Sequence, residues 1–281
     1  MSGEKEVKKL PREPRTAAQE QPRPEAPVPP QQEPRKPAPA PAAEAPASSS
    51  NNSPRPAGSV AWDGGGADEK WSTAANWSGD SVPGVNDHVV FDSTSGKDAT
   101  IDGNIEVASI EVESSYPGIL SGGSATITIN SGDFNVRQGK FSAGTSTIKF
   151  GGSSNQMLTH PNGQTYHNVE NAKSGGELAI QDPGTFNKIK AGAGTTTKVA
   201  VYSVTVTDLD LQGSAGNLAV FHCRRSLTEI PIKTDLVLKT RQTISYVDFK
   251  DINASKGLSI DATNNCKDSG GNTNIKFAPA P

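Results

Sequence analysis

The chain has 281 residues, of which 33% are apolar and 5% aromatic, while glycine (28) and proline (21) are abundant. So small an apolar share argues against one large compact core. Residues 59 to 281 carry 18 basic and 23 acidic residues, and this mildly acidic balance excludes nucleic acid as an expected partner.

Residues 1 to 58 differ from the rest in composition. They hold 14 of the 21 prolines, no Phe, Trp or Tyr, and charges of both signs. Such a segment buries too little apolar surface to offset its ordering entropy, so we predict a disordered Pro/Ala/Glu-rich tether. No signal-peptide core is visible in it, and no apolar run in the chain approaches the roughly 20 residues of a membrane-spanning helix.

Residues 59 to 92 are predicted to cap the N-terminal end of the fold. All three tryptophans, Trp62, Trp71 and Trp77, fall within 16 residues, and Gly64 to Gly66 can turn the chain between them. An array of repeated coils must cover its first core layer and its unpaired backbone edge, which favours a buried cap. The alternative is an aromatic platform on which a sugar ligand stacks.

Apolar pairs spaced by two residues recur through residues 93 to 277, before a short tail at 278 to 281. Alternate side chains of a strand point to opposite faces, so each pair predicts a short strand with one buried face. The intervals lie near 20 residues, as in stacked coils, and we expect Ile127, Ile148 and Val199 on one wall. The pairs are Ile105/Val107, Ile127/Ile129, Ile148/Phe150, Leu178/Ile180, Val199/Val201, Leu218/Val220, Leu236/Leu238 and Leu258/Ile260.

The stretch from Val199 to Leu211 predicts the shape of one coil. Its apolar pairs fall alternately at odd and even positions (Val199/Val201, Val204/Val206, Leu209/Leu211). In a straight strand the second pair would therefore point away from the core. We predict three short strands with corners near Tyr202-Ser203 and Thr207-Asp208. The fold is therefore expected to be all-β, a single-stranded parallel β-helix (a solenoid) of about eight coils. An immunoglobulin-like β-sandwich, which also needs many short strands, is the alternative.

The interval between Ile148 and Leu178 is the longest, at 30 residues. We expect an insertion from 152 to 177 in a loop, with Tyr166 and His167 as candidate ligand contacts. The Gly-rich segments before and after it, such as Gly151-Gly152, are predicted corners where a positive φ is needed.

Several motifs resemble one group of proteins. They are W-D-G-G-G, W-S-T-A-A-N-W and P-G-V-N-D near the start, then G-x-x-x-Q-x-L, T-Y-H-N-V and S-G-G-x-L, and finally I-S-Y-V-D-F-K-D-I-N-A-S. Together they resemble bacterial surface and secreted proteins of the autotransporter-passenger type, which are parallel β-solenoids, over nearly all of residues 60 to 277.

The resemblance implies an extracellular or cell-surface scaffold. We expect a non-catalytic spacer or adhesion module within a larger polypeptide or assembly, with surface glycans or other surface proteins as partners. The alternative is a carbohydrate-binding module or a polysaccharide-degrading enzyme on the same fold.

No catalytic residue is predicted. Glycoside-cleaving sites need clustered carboxylates, and the nearest approaches are Asp208/Asp210 and Asp248/Asp251, which we interpret as a solvated face. The four histidines are interpreted as structural or surface residues.

The one candidate metal site is a weak calcium site. Asp261, Asn264, Asp268 and Asn272 concentrate the oxygen ligands that calcium prefers, but their spacing fits no standard calcium loop. A polar turn that ends the last coil is the favoured interpretation, and no other cofactor is expected.

Cys223 and Cys266 are the only cysteines and lie about two coils apart. A disulfide requires them to stack on one side of the solenoid, and we favour two cysteines that are not joined.

Overall fold

The computed structural model describes residues 58–136, 140–161, 163–224 and 232–279. The predicted tether lies outside the described residues except for Gly58, and the last two residues of the predicted tail lie outside them as well. Within this range the chain is a parallel β-solenoid of about eight coils, as predicted. The pairings between its strands are parallel, which is incompatible with a β-sandwich.

Two long sheets form the main walls of the solenoid. Wall A has ten strands, in spatial order β1 (Ser59–Ala61), β2 (His88–Phe91), β5 (Ser109–Val112), β8 (Phe134–Val136), β11 (Gln156–Thr159), β13 (Glu177–Ile180), β15 (Thr196–Val199), β17 (Ala219–Cys223), β19 (Val247–Lys250) and β22 (Lys267–Asp268). Wall B has eight, β4 (Ile105–Val107), β7 (Thr126–Ile129), β10 (Thr147–Phe150), β12 (Gln164–Asn171), β14 (Gly184–Gly192), β16 (Ser203–Gln212), β18 (Thr234–Ser245) and β20 (Ile252–Asn253).

Two smaller sheets complete the coils. Wall C comprises β3 (Ala99–Thr100), β6 (Ile119–Ser121) and β9 (Lys140–Ser142) near the N-terminal end. A pair formed by β21 (Ile260–Ala262) and β23 (Ile275–Phe277) lies near the C-terminal end. Together the sheets enclose one continuous core of buried apolar side chains.

Four consecutive strands of wall B, from β12 to β18, are long and bend within their length, whereas the last strand, β20, has two residues. β12, β14, β16 and β18 have 8 to 12 residues. In β16 both Val206 and Asp208 are buried with Leu209, so the side that faces the core changes at Thr207. The predicted corner at Tyr202 is confirmed, because the chain turns there between β15 and β16. The predicted break near Thr207 is instead a bend inside one strand.

The expected common wall for Ile127, Ile148 and Val199 is wrong. Ile127 pairs with Ile148 in wall B, whereas Val199 ends β15 in wall A. The prediction of a loop insertion from 152 to 177 is also wrong, because that segment holds β11 and β12, which form parts of a regular coil. Val169 continues the wall B column after Ile148.

The phase of the buried side chains in β17 also differs from the prediction. The buried side chains of β17 are Ala219, Phe221 and Cys223, so the predicted inward pair Leu218/Val220 is wrong. Leu258, predicted to point inward, is 47% exposed.

The predicted positive φ at the glycine corners is confirmed at Gly152. Gly152 has φ +74°, and a Cβ placed on it would lie 2.0 Å from the carbonyl oxygen of Asn130 on the previous coil. Only glycine permits this close stacking of two corners.

The N-terminal end is closed by the predicted tryptophan cluster. Trp62, Trp71 and Trp77 are buried around Phe91. The Trp77 ring packs edge to face on Trp62, Trp71 and Phe91, and its centroid lies 4.5 Å from that of Trp71. The Lys97 ammonium donates hydrogen bonds to carbonyl oxygens of the glycine turn and so ties it to the first coil.

Cys223 and Cys266 are not joined by a disulfide. β19 lies between β17 and β22 in wall A, and the two cysteines are also offset along the strands, so they are more than two strand spacings of about 4.8 Å apart. That separation exceeds the reach of a disulfide.

Candidate functional site

A shallow groove of about 580 Å³ runs across successive coils where wall B bends. We call it the lateral groove. Its lining is dominated by hydroxyl, amide and imidazole side chains, and none of the described residues that line it is acidic. The lining residues are Phe141, Ser142, Ala143, Gly144, Gly163, Gln164, Thr165, Tyr166, His167, Thr185, Asn187 and Thr207.

The polar lining follows from the register of parallel strands. Thr165 pairs with Thr185, which pairs with Thr205 on the next coil. The neighbouring column, His167, Asn187 and Thr207, lies at the bend. Because neighbouring strands are about 4.8 Å apart, the same polar positions recur at that interval along the groove. Such a surface can bind an extended polymer through repeated hydrogen bonds.

Only one of the two contacts predicted in this region lies at the surface. His167 is half-buried and lines the groove. Tyr166 is 1% exposed, and its ring stacks on Phe186 at a centroid distance of 5.6 Å. Burial raises the pKa of the Tyr166 phenol. Its ring therefore belongs to the core rather than to the groove.

The tryptophans proposed as alternative ligand contacts are also in the core. Trp62 and Trp77 have no exposed surface, and Trp71 is 2% exposed. Their indole faces contact one another and Phe91, which leaves no face on which a sugar can stack.

The acids that come nearest to a catalytic pair form a ladder of ion pairs on wall B. The Lys188 ammonium lies 3.2 Å from Asp208 and 3.4 Å from Asp210, and the Arg241 guanidinium lies 3.4 Å from Asp208. The hydrogen bond to Asp208 raises the pKa of Lys188. These carboxylates are occupied by cations of the neighbouring coils.

A second polar cluster lies on wall A, on the outward face of β15, β17 and β19. Lys198 pairs with His222, which pairs with Lys250, so three nitrogenous side chains form one column. They line a depression of about 270 Å³, which we call the wall A pocket. Its other lining residues are Glu177, Cys223, Arg224 and Asp251. This cluster could not be predicted from the sequence, because its members come from three separate coils.

His222 is held between charges of opposite sign. Its Nδ1 lies 3.4 Å from the Lys198 ammonium, and its Nε2 lies 3.5 Å from the Asp248 carboxylate. An ammonium can only donate, so Nδ1 is the acceptor and the ring proton is on Nε2, facing Asp248. Burial, with the nearby charge of Lys198, lowers the pKa of His222. The imidazole is therefore neutral at pH 7.

Asp248 is ionised beneath this column. Burial raises the pKa of its carboxyl, but hydrogen bonds from Ser269 and Lys267 and the nearby His222 outweigh burial and lower it. Lys267 lies 3.2 Å from its second oxygen. Lys267, on the next strand of wall A, therefore neutralises the charge of the Asp248 carboxylate.

The candidate calcium ligands are only partly brought together. Asp268 accepts hydrogen bonds from Gly270 and from the Asn272 amide, at 2.9 and 2.6 Å. Asp261 accepts two hydrogen bonds from Thr263. The Asn264 side chain bonds the amide of Asn265. These oxygens thus cap turns, and among the described residues no group of three His, Cys, Asp or Glu side chains is placed to hold a metal.

Comparison of the chain with protein-family models, curated proteins and solved structures finds no match. The class that the fold defines is the parallel β-solenoid. In the part of the chain that the structure describes, no helix is long and apolar enough to cross a membrane.

Proposed function

We propose that the chain is a non-catalytic solenoid scaffold, exposed on or released from a bacterial cell, that acts as a structural spacer and adhesion module. The observation that carries the proposal is the lateral groove. It repeats hydroxyl and amide side chains from coil to coil on a rigid frame, and no acid of the described chain lines it. The location on the cell is supported by the motifs that resemble bacterial surface solenoids.

A non-catalytic role is supported by the state of the acidic side chains. Cleavage of glycosidic bonds needs one carboxylic acid and one carboxylate on either side of the bond. Asp208 and Asp210 both form ion pairs with the same ammonium, that of Lys188, at 3.2 and 3.4 Å. They therefore converge on one cation of this chain, which does not support a role on either side of a glycosidic bond.

Carbohydrate binding is the second candidate, and the same groove favours it. Threonine hydroxyls and the Asn187 amide can donate to and accept from sugar hydroxyls. The adhesion role then consists of holding a neutral surface glycan along the groove. A spacer without a ligand would leave the groove unused.

Incubation of the full chain with a panel of polysaccharides tests both candidates. We expect retention of a neutral glycan on the protein without release of reducing ends. The variant Thr185→Lys places a long charged side chain in the groove and is expected to abolish retention. Thr128→Lys, on the outward face of wall B away from the groove, is the matched control. Release of reducing ends, or equal retention by both variants, would contradict the proposal.

A further inference from the structure

The wall A pocket is lined by more basic groups than the rest of this acidic chain would suggest. Lys198, Lys250 and Arg224 surround the neutral ring of His222. Within the described residues, no ion pair joins any of these three cations to a carboxylate. On wall B, by contrast, Lys188 and Lys190 each pair with an acid of a neighbouring coil.

The register between β15, β17 and β19 places the charged side chains around His222. Lys198 and Lys250 flank His222 on the coils before and after it, about 4.8 Å away on either side. Arg224 follows directly after the end of β17 and lines the same pocket as His222. An anionic group above the imidazole can therefore be reached from three directions.

We propose that the wall A pocket binds the carboxylate of an acidic sugar residue. A carboxylate accepts the charge-assisted hydrogen bonds that ammonium and guanidinium groups donate. The pocket volume of about 270 Å³ is below the 300 to 1,000 Å³ typical of drug-sized ligands and suits a single sugar ring. This site uses none of the residues of the lateral groove.

Glu177 and Asp251 also line the pocket and limit what it accepts. Asp251 is largely buried, whereas Glu177 is half-buried. A partly exposed carboxylate repels a second anion and accepts hydrogen bonds from sugar hydroxyls. It therefore favours a ligand with one negative group and several hydroxyls over a small inorganic anion.

The test is an NMR titration of the full chain with sodium glucuronate, with glucose as the neutral analogue and sodium sulfate as the simple anion. We expect millimolar glucuronate to shift the backbone amides of Lys198, His222 and Lys250. Glucose is expected to leave them unchanged, and sulfate to bind several-fold more weakly. Lys250→Gln is expected to weaken glucuronate binding about tenfold, because it removes one charge-assisted hydrogen bond.

Two further variants complete the design. Glu177→Gln removes the repulsive charge and is expected to strengthen glucuronate binding several-fold. Lys149→Gln, a half-buried outward lysine on wall B, is the matched control and should bind as the parent chain does. Far-UV circular dichroism verifies that each variant is folded.

The proposal is overturned if glucuronate shifts no amide of the pocket, if glucose or sulfate shifts them equally, or if Lys250→Gln and Lys149→Gln behave alike. Thr185→Lys in the lateral groove should leave glucuronate binding intact. Failure of the pocket and failure of the groove are thus separate results.

Discussion

Replacing Trp77 with alanine measures how much stability the N-terminal cap supplies. The Trp77 side chain is fully buried, and its ring centroid lies 4.5 Å from that of Trp71 and 5.1 Å from that of Trp62. Its Nε1 donates a 2.7 Å hydrogen bond to the carbonyl oxygen of Trp71. Truncation of a buried tryptophan costs about 3–5 kcal/mol, which includes the cavity it leaves. The lost hydrogen bond accounts for about 1 kcal/mol.

Urea unfolding followed by far-UV circular dichroism gives the free energy of unfolding without relying on tryptophan fluorescence. Tyr202→Ala is the control, because that aromatic side chain is 68% exposed and its removal should change stability by no more than about 0.5 kcal/mol. Coils of a solenoid contact only their neighbours, so hydrogen exchange is expected to accelerate first in β2. A loss below about 1 kcal/mol for Trp77→Ala would refute a structural cap.

Three further predictions concern corners, pH and calcium. Gly152→Ala should lower the free energy of unfolding by at least about 2 kcal/mol, because its Cβ would meet the previous coil. Gly163→Ala, also at positive φ but with open space around it, should lower it by about 1 kcal/mol. Equal urea midpoints for the two variants would contradict this prediction. Burial lowers the pKa of both His160 and His222, so the unfolded chain binds more protons and the free energy of unfolding should fall from pH 7 to pH 5. In urea titrations at pH 7 and pH 5, His222→Gln should make this fall smaller. An equal fall in the parent chain and the variant would contradict the prediction. Calorimetric titration with millimolar calcium should show no binding, because Asp268 already caps its own turn; a chelator-sensitive melting temperature would reverse that expectation.

The sequence was sufficient for the architecture because the pattern of apolar pairs has a direct physical cause. Each coil must bury alternate side chains, and this requirement survives changes in loop length. The sequence was not sufficient to assign each apolar pair to a wall, and Asn171 illustrates the reason. This residue lies in the core column between Phe150 and Ala191, where an apolar residue is expected. Its amide is satisfied by Thr196 and Thr197, so the column continues through a polar side chain.

The candidate sites were less accessible from sequence than the fold. The tryptophans were correctly expected to form a buried cap, and His167 lines the lateral groove, whereas Tyr166, expected as a surface contact, is buried in the core. The wall A pocket depends on the register between β15, β17 and β19. That register is set by coils of unequal length, and a bulge between β16 and β18 alters the spacing further. No local pattern encodes it.

In-register parallel stacking makes the order of charges along a column an energetic property of the fold. On wall B the order alternates, with Glu170, Lys190 and Asp210 on successive coils, so neighbouring coils attract one another. On wall A a neutral His222 separates two lysines, and its protonation would place three positive charges in a row, near the carboxylates of Asp248, Glu177 and Asp251. The carboxylate that we propose as a ligand would lie above this column. A neutral His222 thus allows the two lysines to share one face, and the proposed carboxylate site depends on that arrangement.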